Sequence, residues 1–324
     1  MYKIPIQKLP QLYASIAEEM VLYLPTSQDD TVNFAQWHAQ ANVDLRTLKT
    51  VMPPKQFFLP AYEVLYTSTV NDDNIEISPQ PLKNTRFTIF GVRACDARGL
   101  EILDLVYLSD PVDSFYANRR NNATVITLAC EKPNVTCLCN TFDIDHTHPA
   151  GDISTWLTET ELYWKAHTEK GERLTAALAN ILEETHGIAK QTRNNESLKF
   201  PLDSFDSKNL LEIFNAPQWD ELYKTCIACG TCTYICPTCQ CYDIGSFNTG
   251  QTTKHHRCLD SCMFADFTQM AHGNPRPSHK ERFRQRFMHK LVYGNGCVGC
   301  GRCVSKCPVN MSIVKIIRAF AGKG

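Results

Sequence analysis

The sequence predicts an α/β amino-terminal domain followed by a mainly helical carboxyl-terminal domain. Three observations support this prediction. Two short apolar strands flank an amphipathic helix in the first half, two copies of one cysteine pattern lie in the last third, and helical apolar stripes flank those copies. Residues 190–207 are polar and interrupted by proline. We therefore expect two domains, residues 1–205 and 206–324.

The first domain is predicted around one strand–helix–strand unit. Arg86–Val92 and Thr124–Ala129 are short runs rich in β-branched residues, as in buried strands. Residues 96–108 between them carry a helical apolar stripe. A crossover of this kind joins parallel strands and is right-handed.

The flanking elements complete the prediction. Asp152–Lys170 has the pattern of a β-hairpin, and Glu172–His186 that of an amphipathic helix. In the second domain, Lys208–Tyr223 and Met311–Ala321 are predicted helices on either side of the cysteine copies. Trp156, Trp164 and Trp219 fall on apolar stripes and are expected in the core.

The repeated cysteine pattern is Cys-x2-Cys-x2-Cys-x3-Cys-Pro, the spacing of two-cluster bacterial ferredoxins. In this spacing three cysteines bind one [4Fe–4S] cluster, and the fourth ligates the other cluster. Zinc needs only four ligands in two pairs, so it would leave cysteines of each run unused. The predicted ligand sets are Cys226, Cys229, Cys232 and Cys307 for one cluster, and Cys297, Cys300, Cys303 and Cys236 for the other.

Four more cysteines, Cys95, Cys130, Cys137 and Cys139, belong to the first domain. Cys95 lies just past the first predicted strand, and Cys130 ends the second. Carboxyl ends of parallel strands meet at one edge of a sheet, where ligands bind. The loop with the other two cysteines leaves that same edge. We therefore expect a third [4Fe–4S] cluster there, with buried structural cysteines as the alternative. Arg93 and Arg98 either donate hydrogen bonds to its sulfurs or belong to a solvated turn.

The remaining four cysteines, Cys239, Cys241, Cys258 and Cys262, have no assigned role. They either form another centre, or Cys239 and Cys241 instead pack against the cluster bound by Cys236. The nearby histidines are expected at the surface rather than as ligands. They are His255, His256, His272 and His279.

Charge is distributed unequally along the chain. Residues 1–205 carry eight more acidic than basic residues, and residues 206–324 carry seven more basic than acidic ones. Cationic surroundings offset the negative charge of thiolate-bound clusters, which explains the basic half better than nucleic-acid binding does. The basic stretch Arg276–Lys290 is also predicted to dock a partner protein, or else to be a solvated helix face.

The sequence contains no apolar run of membrane-spanning length and does not begin with a signal-peptide pattern. Its 16 cysteines, without a secretory signal, indicate a reducing compartment. We therefore expect a cytoplasmic protein.

Several stretches together resemble one family, which includes the iron–sulfur electron-transfer subunit of anaerobic sulfite reductase and the β subunit of cytoplasmic sulfhydrogenases. The chain departs from the family pattern at Cys258, where an aromatic residue is usual. The matching stretches are GVRACDARGLEILDLVYL (Gly91–Leu108), CEKPNVTCLC (Cys130–Cys139), CPTCQCYDI (Cys236–Ile244), DSCMFADF, NPRP…RFRQRFMHK and CVGCGRC (Cys297–Cys303).

The resemblance implies a protein that relays electrons within an oxidoreductase of several subunits in anaerobic metabolism. Electrons would pass between a flavin subunit, linked to NAD(P)H or ferredoxin, and a terminal subunit of siroheme, nickel–iron or heterodisulfide-reductase type. No haem-attachment motif and no glycine-rich phosphate loop occurs in the sequence. We therefore expect no catalytic residue in this chain. The alternatives are a free-standing polyferredoxin shuttle, a flavoenzyme and a redox-sensing DNA-binding regulator.

Overall fold

The computed structural model describes residues 1–71, 74–187, 198–293 and 296–321. The chain forms two compact units, each built from separate segments. The first unit contains residues 1–54, 84–199 and 297–301, and the second contains residues 55–83, 200–296 and 302–324. The main change from the first to the second unit follows residue 199, near the predicted boundary. Two segments depart from that division: residues 55–83 belong to the second unit, and residues 297–301 belong to the first. Residues 190–197 of the predicted linker lie outside the described residues.

The described ranges contain strands β1 to β12 and helices α1 to α10, numbered in chain order. The strands are Tyr2–Pro5, Val21–Gln28, Thr31–Gln36, Tyr62–Asn71, Asn74–Pro79, Phe87–Val92, Ala123–Leu128, Ile153–Leu157, Glu161–Ala166, Glu183–Glu184, Tyr242–Asn248 and Thr252–Leu259. The helices are Leu9–Glu19, Ala94–Tyr107, Ser114–Asn122, Glu169–Ala177, Leu210–Phe214, Trp219–Leu222, Thr231–Tyr234, His279–Leu291, Arg302–Ser305 and Ile313–Phe320. No helix in these ranges has the length and apolarity needed to cross a membrane.

The first unit is built on a mixed eight-stranded sheet in the order β10-β1-β9-β8-β7-β6-β2-β3. Its centre is parallel, because β2 pairs with β6, β6 with β7, and β7 with β8 in that sense. The predicted parallel strand–helix–strand unit is therefore present as β6, α2 and β7, with an additional helix, α3, before β7. The predicted hairpin is the antiparallel pair β8 and β9.

The core of the first unit lies between this sheet and α1. Leu12 and Ile16 of α1 are fully buried and pack with Phe90 of β6 and Ile126 of β7. Every residue of β7 is buried, as expected for a central parallel strand covered on both faces. A rigid centre of this kind fixes where the strand ends lie, and the cysteines follow those ends.

The second unit contains a four-stranded antiparallel sheet in the order β11-β12-β4-β5. Strands β4 and β5 come from residues that the sequence placed in the first domain, and β4 pairs with β12 almost two hundred residues later. The helices around the two cysteine runs are short. The expected helical character of this domain is therefore not confirmed.

Two predicted helices are wrong in extent. Lys208–Tyr223 contains two short helices, α5 and α6, because Pro217 between them supplies no backbone N–H for a continuous helix. Within Glu172–His186 only the first turns are helical; α4 ends at Ala177, and Glu183–Glu184 pairs with β1 as β10. Pairing with a neighbouring strand has overridden the local helical pattern.

Candidate metal centres

The first cysteine run and the last cysteine of the second run line one cavity in the second unit. Cys226, Cys229, Cys232 and Cys307 line one solvent-open cavity, whose walls also include Arg286 and mainly apolar side chains. Cys303 also lines this cavity. A cysteine about eighty residues away in sequence is thus brought to the first run, as crossed ligation requires.

The backbone of the run is shaped for sulfur ligands. The N–H of Ala228 donates to Cys226 Sγ at 3.4 Å, and the N–H of Met311 donates to Cys307 Sγ at 3.2 Å. Burial raises the pKa of the Cys226 and Cys232 thiols. Because metals bind thiolates, the binding of a metal centre at this site must release the protons of these thiols. The four-thiol donor set, with N–H groups directed at sulfur, fits an iron–sulfur cluster.

The other predicted ferredoxin set is divided between the two units. Cys236 and Cys303 belong to the second unit, and Cys297 and Cys300 to the first. The ligand set of the second cluster stays a prediction from spacing.

Helix α8 supplies buried positive charge, which removes three cations from the predicted docking surface Arg276–Lys290. Arg282, Arg286 and Lys290 recur every four residues on one helix face, and they are 9%, 4% and 4% exposed. Arg286 Nη2 donates to the Cys232 carbonyl at 2.7 Å, and its Nη1 donates to Cys239 Sγ at 3.4 Å. Arg282 instead donates to backbone carbonyls of Met263, Arg276 and Pro277. The face is buried, and its Arg286 contacts cysteines directly.

The four cysteines of the first unit lie together, as predicted from the strand ends. Cys95 is at the amino end of α2, Cys130 follows β7, and Cys137 hydrogen-bonds Cys139 through their side chains. Cys139 interacts electrostatically with each of the other three. Its pKa is raised by the hydrogen bond to Cys137 and by burial. The set lies at the carboxyl edge of the parallel strands.

Two cations adjoin this set. Arg93 is buried, donates to the Ala129 carbonyl at 2.9 Å, and acts electrostatically on the Cys130 thiol. The Cys139 thiol and the ammonium of Lys49 hold the pKa of Cys137 below its usual value. Arg98 instead forms a solvent-exposed pair with Glu101. Of the two alternatives, the solvated turn holds for Arg98, whereas the guanidinium of Arg93 is buried and donates to backbone carbonyls beside the cysteine set.

The second cysteine run contributes residues 297–301 to the same unit. Leu138 N–H donates to the Gly299 carbonyl at 2.7 Å, which fixes this segment against the loop carrying Cys137 and Cys139. Cys300 and Val298 form a small buried cluster with Cys95. A ligand predicted for the second ferredoxin cluster therefore lies beside the four-cysteine set.

The other predicted residues divide between core and surface. All three tryptophans are buried, as expected. His255 stacks on Tyr66 and hydrogen-bonds Ser68, so it supports the sheet of the second unit. Sequence reasoning missed Lys55, which is 2% exposed and hydrogen-bonds the Cys239 carbonyl. Nothing in its local sequence distinguishes it from a surface lysine.

In the described part of the chain, no group of three or more His, Cys, Asp or Glu side chains is arranged as a site for a single metal ion. A cubane separates its thiolate ligands more widely than one ion does, because each thiolate binds a different iron.

Comparison with known proteins agrees with this geometry. Residues 225–311 match the family described as a 4Fe-4S dicluster domain. Sulfhydrogenase 2 subunit beta of Pyrococcus furiosus is 29% identical over 334 aligned positions, which cover 97% of this chain and 96% of that protein. No solved structure matches the chain. The chain contains a 4Fe-4S dicluster domain, which has sites for two clusters, and it is an iron–sulfur protein of electron transport. The resemblance seen in the sequence is thus confirmed: the chain is a homologue of a sulfhydrogenase beta subunit.

Proposed function

We propose that this chain is the electron-relay subunit of a multisubunit oxidoreductase, with no catalytic residue of its own. One observation carries the proposal. The chain contains a dicluster domain, and residues 297–301 of that domain belong to the first unit, where Cys300 packs with Cys95 of the four-cysteine set. Iron–sulfur clusters supply one-electron transfer. The protein residues supply ligands, burial and hydrogen bonds to sulfur, which set the cluster potentials.

Ligands of the two ferredoxin clusters are proposed to be crossed between the runs. The shared cavity of Cys226 and Cys307 supports this assignment for one cluster, and spacing alone supports it for Cys236 with Cys297. Single serine substitutions test it by anaerobic redox titration followed by EPR. Cys226→Ser and Cys307→Ser should alter the same transition, and Cys297→Ser a different one. If Cys307→Ser altered the transition affected by Cys297→Ser, crossed ligation would be refuted.

A third [4Fe–4S] cluster is proposed at Cys95, Cys130, Cys137 and Cys139. Their convergence, with Arg93 and Lys49 beside them, supports the proposal. Cys95→Ser and Cys139→Ser should each lower iron by about four atoms per chain and leave the two ferredoxin transitions in place. Unchanged iron in both variants would assign these thiols a structural role.

The proposed partners are a flavin subunit linked to NAD(P)H or ferredoxin and a terminal subunit of siroheme, nickel–iron or heterodisulfide-reductase type. The homologue is itself named as a subunit of a sulfhydrogenase, which supports such an assembly here. Native anaerobic purification should recover the chain with both partners. Reduction of its clusters by NAD(P)H should require the flavin subunit. Rapid reduction of the isolated chain by NAD(P)H would contradict the relay role.

A further inference from the structure

Three cysteines that no predicted cluster uses lie together beside Cys236 in the second unit. The Cys239 side chain interacts electrostatically with that of Cys236, and the Cys262 side chain with that of Cys241. The backbone N–H of Cys239 donates to the Cys236 carbonyl at 3.4 Å. Cys239 and Cys262 interact electrostatically and so connect the two pairs. The four thiols form one group.

The β11–β12 hairpin explains how distant cysteines meet here. Cys241 directly precedes β11 and Cys262 closely follows β12, and these strands pair with Tyr242 opposite Leu259. The Asp260 N–H donates to the Cys241 carbonyl at 3.0 Å, which continues the pairing past the strand ends. The open end of the hairpin therefore holds Cys241 and Cys262 side by side, whereas Cys258 lies within β12 opposite Asp243.

Buried cations surround this group. Lys55 donates to the Cys239 carbonyl at 2.8 Å and to the Thr233 carbonyl at 3.4 Å. Arg286 donates to Cys239 Sγ, as described above. Within the described residues, neither Lys55 nor Arg286 forms an ion pair with a carboxylate. Buried charges of one sign are costly unless opposite charge accompanies them. Thiolates and a metal cluster bound to them would supply that charge.

Helix α8 adds a third cation at the same place. Lys290 Nζ donates to Thr238 Oγ1 at 2.7 Å and to the Gly296 carbonyl at 2.9 Å. Thr238 in turn contacts Cys236 Sγ at 3.2 Å. Lys290 and Arg286, on one face of α8, thus contact Thr238 and Cys239 respectively.

The donor set is all sulfur, and it is not arranged for a single ion in the described residues. The same holds for the cavity of Cys226 and Cys307, which belongs to the matched dicluster domain. A thiolate-only set with N–H donors to sulfur suits an iron–sulfur cluster. We propose that Cys239, Cys241 and Cys262 are the three protein ligands of a further iron–sulfur cluster, distinct from the ferredoxin pair.

The proposal rests on the proposed assignment of Cys236 to the second ferredoxin cluster. Three cysteines then leave one iron of a four-iron cluster without a protein thiolate. Oxidation by one electron releases that iron as Fe²⁺ and converts [4Fe–4S]²⁺ into [3Fe–4S]⁺. A cluster with four cysteine ligands holds every iron by a thiolate and loses iron less readily, so this site should convert first when the oxidant is limiting.

The test uses the full-length chain, reconstituted anaerobically and treated with limited ferricyanide. The wild-type protein should give the EPR signal of a three-iron cluster and release Fe²⁺ to a chelator. Cys241→Ser and Cys262→Ser should each abolish that signal and lower iron by about four atoms per chain. Cys258→Ser is the matched control, because Cys258 lies on the same hairpin outside the group, and it should behave as wild type.

Several results would overturn the proposal. The wild-type measurement needs no variant, so absence of a three-iron signal in protein that retains both ferredoxin transitions refutes it even if a variant fails to fold. Zinc in place of iron at this site refutes it as well. Loss of the same signal in Cys236→Ser refutes the three-cysteine ligand set. Failure of the proposed function would give a different result: the redox transitions of the two ferredoxin clusters would be absent from the wild-type protein.

Discussion

Substitution of Gly299 by alanine should release the second cysteine run from the first unit. Gly299 has a φ of +60°, and an added Cβ would overlap the Leu138 carbonyl and lie 2.8 Å from the Cys139 nitrogen. A left-handed backbone costs alanine about 1–2 kcal/mol. Overpacking adds about 1–3 kcal/mol, and loss of the Leu138–Gly299 hydrogen bond adds about 1 kcal/mol. The total is about 3–6 kcal/mol.

This cost is large compared with a total stability of about 5–15 kcal/mol for a typical domain. The least expensive response is local detachment of residues 297–301, which carry Cys297 and Cys300. A penalty of about 3 kcal/mol raises the population of the detached state by roughly a hundredfold. Iron loss that proceeds through this state should accelerate by a similar factor.

The assay follows the rate of iron release from anaerobic protein to a chelator at several urea concentrations. Gly250→Ala is the matched control, because Gly250 has a φ of +97° and nothing within 4 Å of an added Cβ. It should show only the backbone cost and no accelerated iron loss. Equal rates for Gly299→Ala and Gly250→Ala would refute the role of close packing against Leu138.

Three further predictions follow from the buried charges. Arg286→Met should lower at least one cluster potential by up to about 170 mV in a redox titration, because a unit charge about 4 Å away acts through an effective dielectric constant near 20. Arg284→Met removes a guanidinium stacked on Phe214 and should leave the potentials unchanged. Equal shifts in both variants would argue against a local effect. In apo-protein, Lys49→Met should move the pH midpoint of Cys137 alkylation to a higher value. The ammonium of Lys49 helps hold the pKa of this thiol low, and the thiolate is the form that reacts. An unchanged pH midpoint would contradict this prediction. Glu63→Gln should destabilise the protein by roughly 3–5 kcal/mol in urea unfolding, because it removes the carboxylate charge that lies 2.6 Å from the buried Arg257 guanidinium. Glu221→Gln at an exposed pair should cost less than about 1 kcal/mol.

The cysteine positions of the first unit show what local pattern predicts well. Buried parallel strands are recognisable because each is a short, continuous apolar run, and the sheet geometry then fixes where their ends meet. Cys95 and Cys130 could therefore be placed together from sequence. The pairing of β4 with β12 could not be predicted, because neither strand carries a signal for a partner so far away in the chain.

Helix α8 shows where sequence reasoning fails. Arg282, Arg286 and Lys290 form a charged stripe, which by composition alone resembles a solvated face. Burial of that stripe depends on acceptor groups from other elements, which are mainly backbone carbonyls. The sequence left Cys239, Cys241, Cys258 and Cys262 without an assigned role for a related reason: the hairpin that separates Cys258 from the others is not encoded in cysteine spacing.

The sequence by itself determined the iron–sulfur character of the protein, the parallel centre of the first unit and the convergence of its four cysteines. These features depend on short-range spacing and strand periodicity, which are written into consecutive residues. Only the tertiary structure decided that residues 55–83 and 297–301 belong to the other unit. It also decided that Lys55 and Arg286 are buried against Cys239, and that the hairpin brings the segments of Cys241 and Cys262 together. Those features depend on long-range packing, in which the cost of burying a charge is offset by groups distant in sequence.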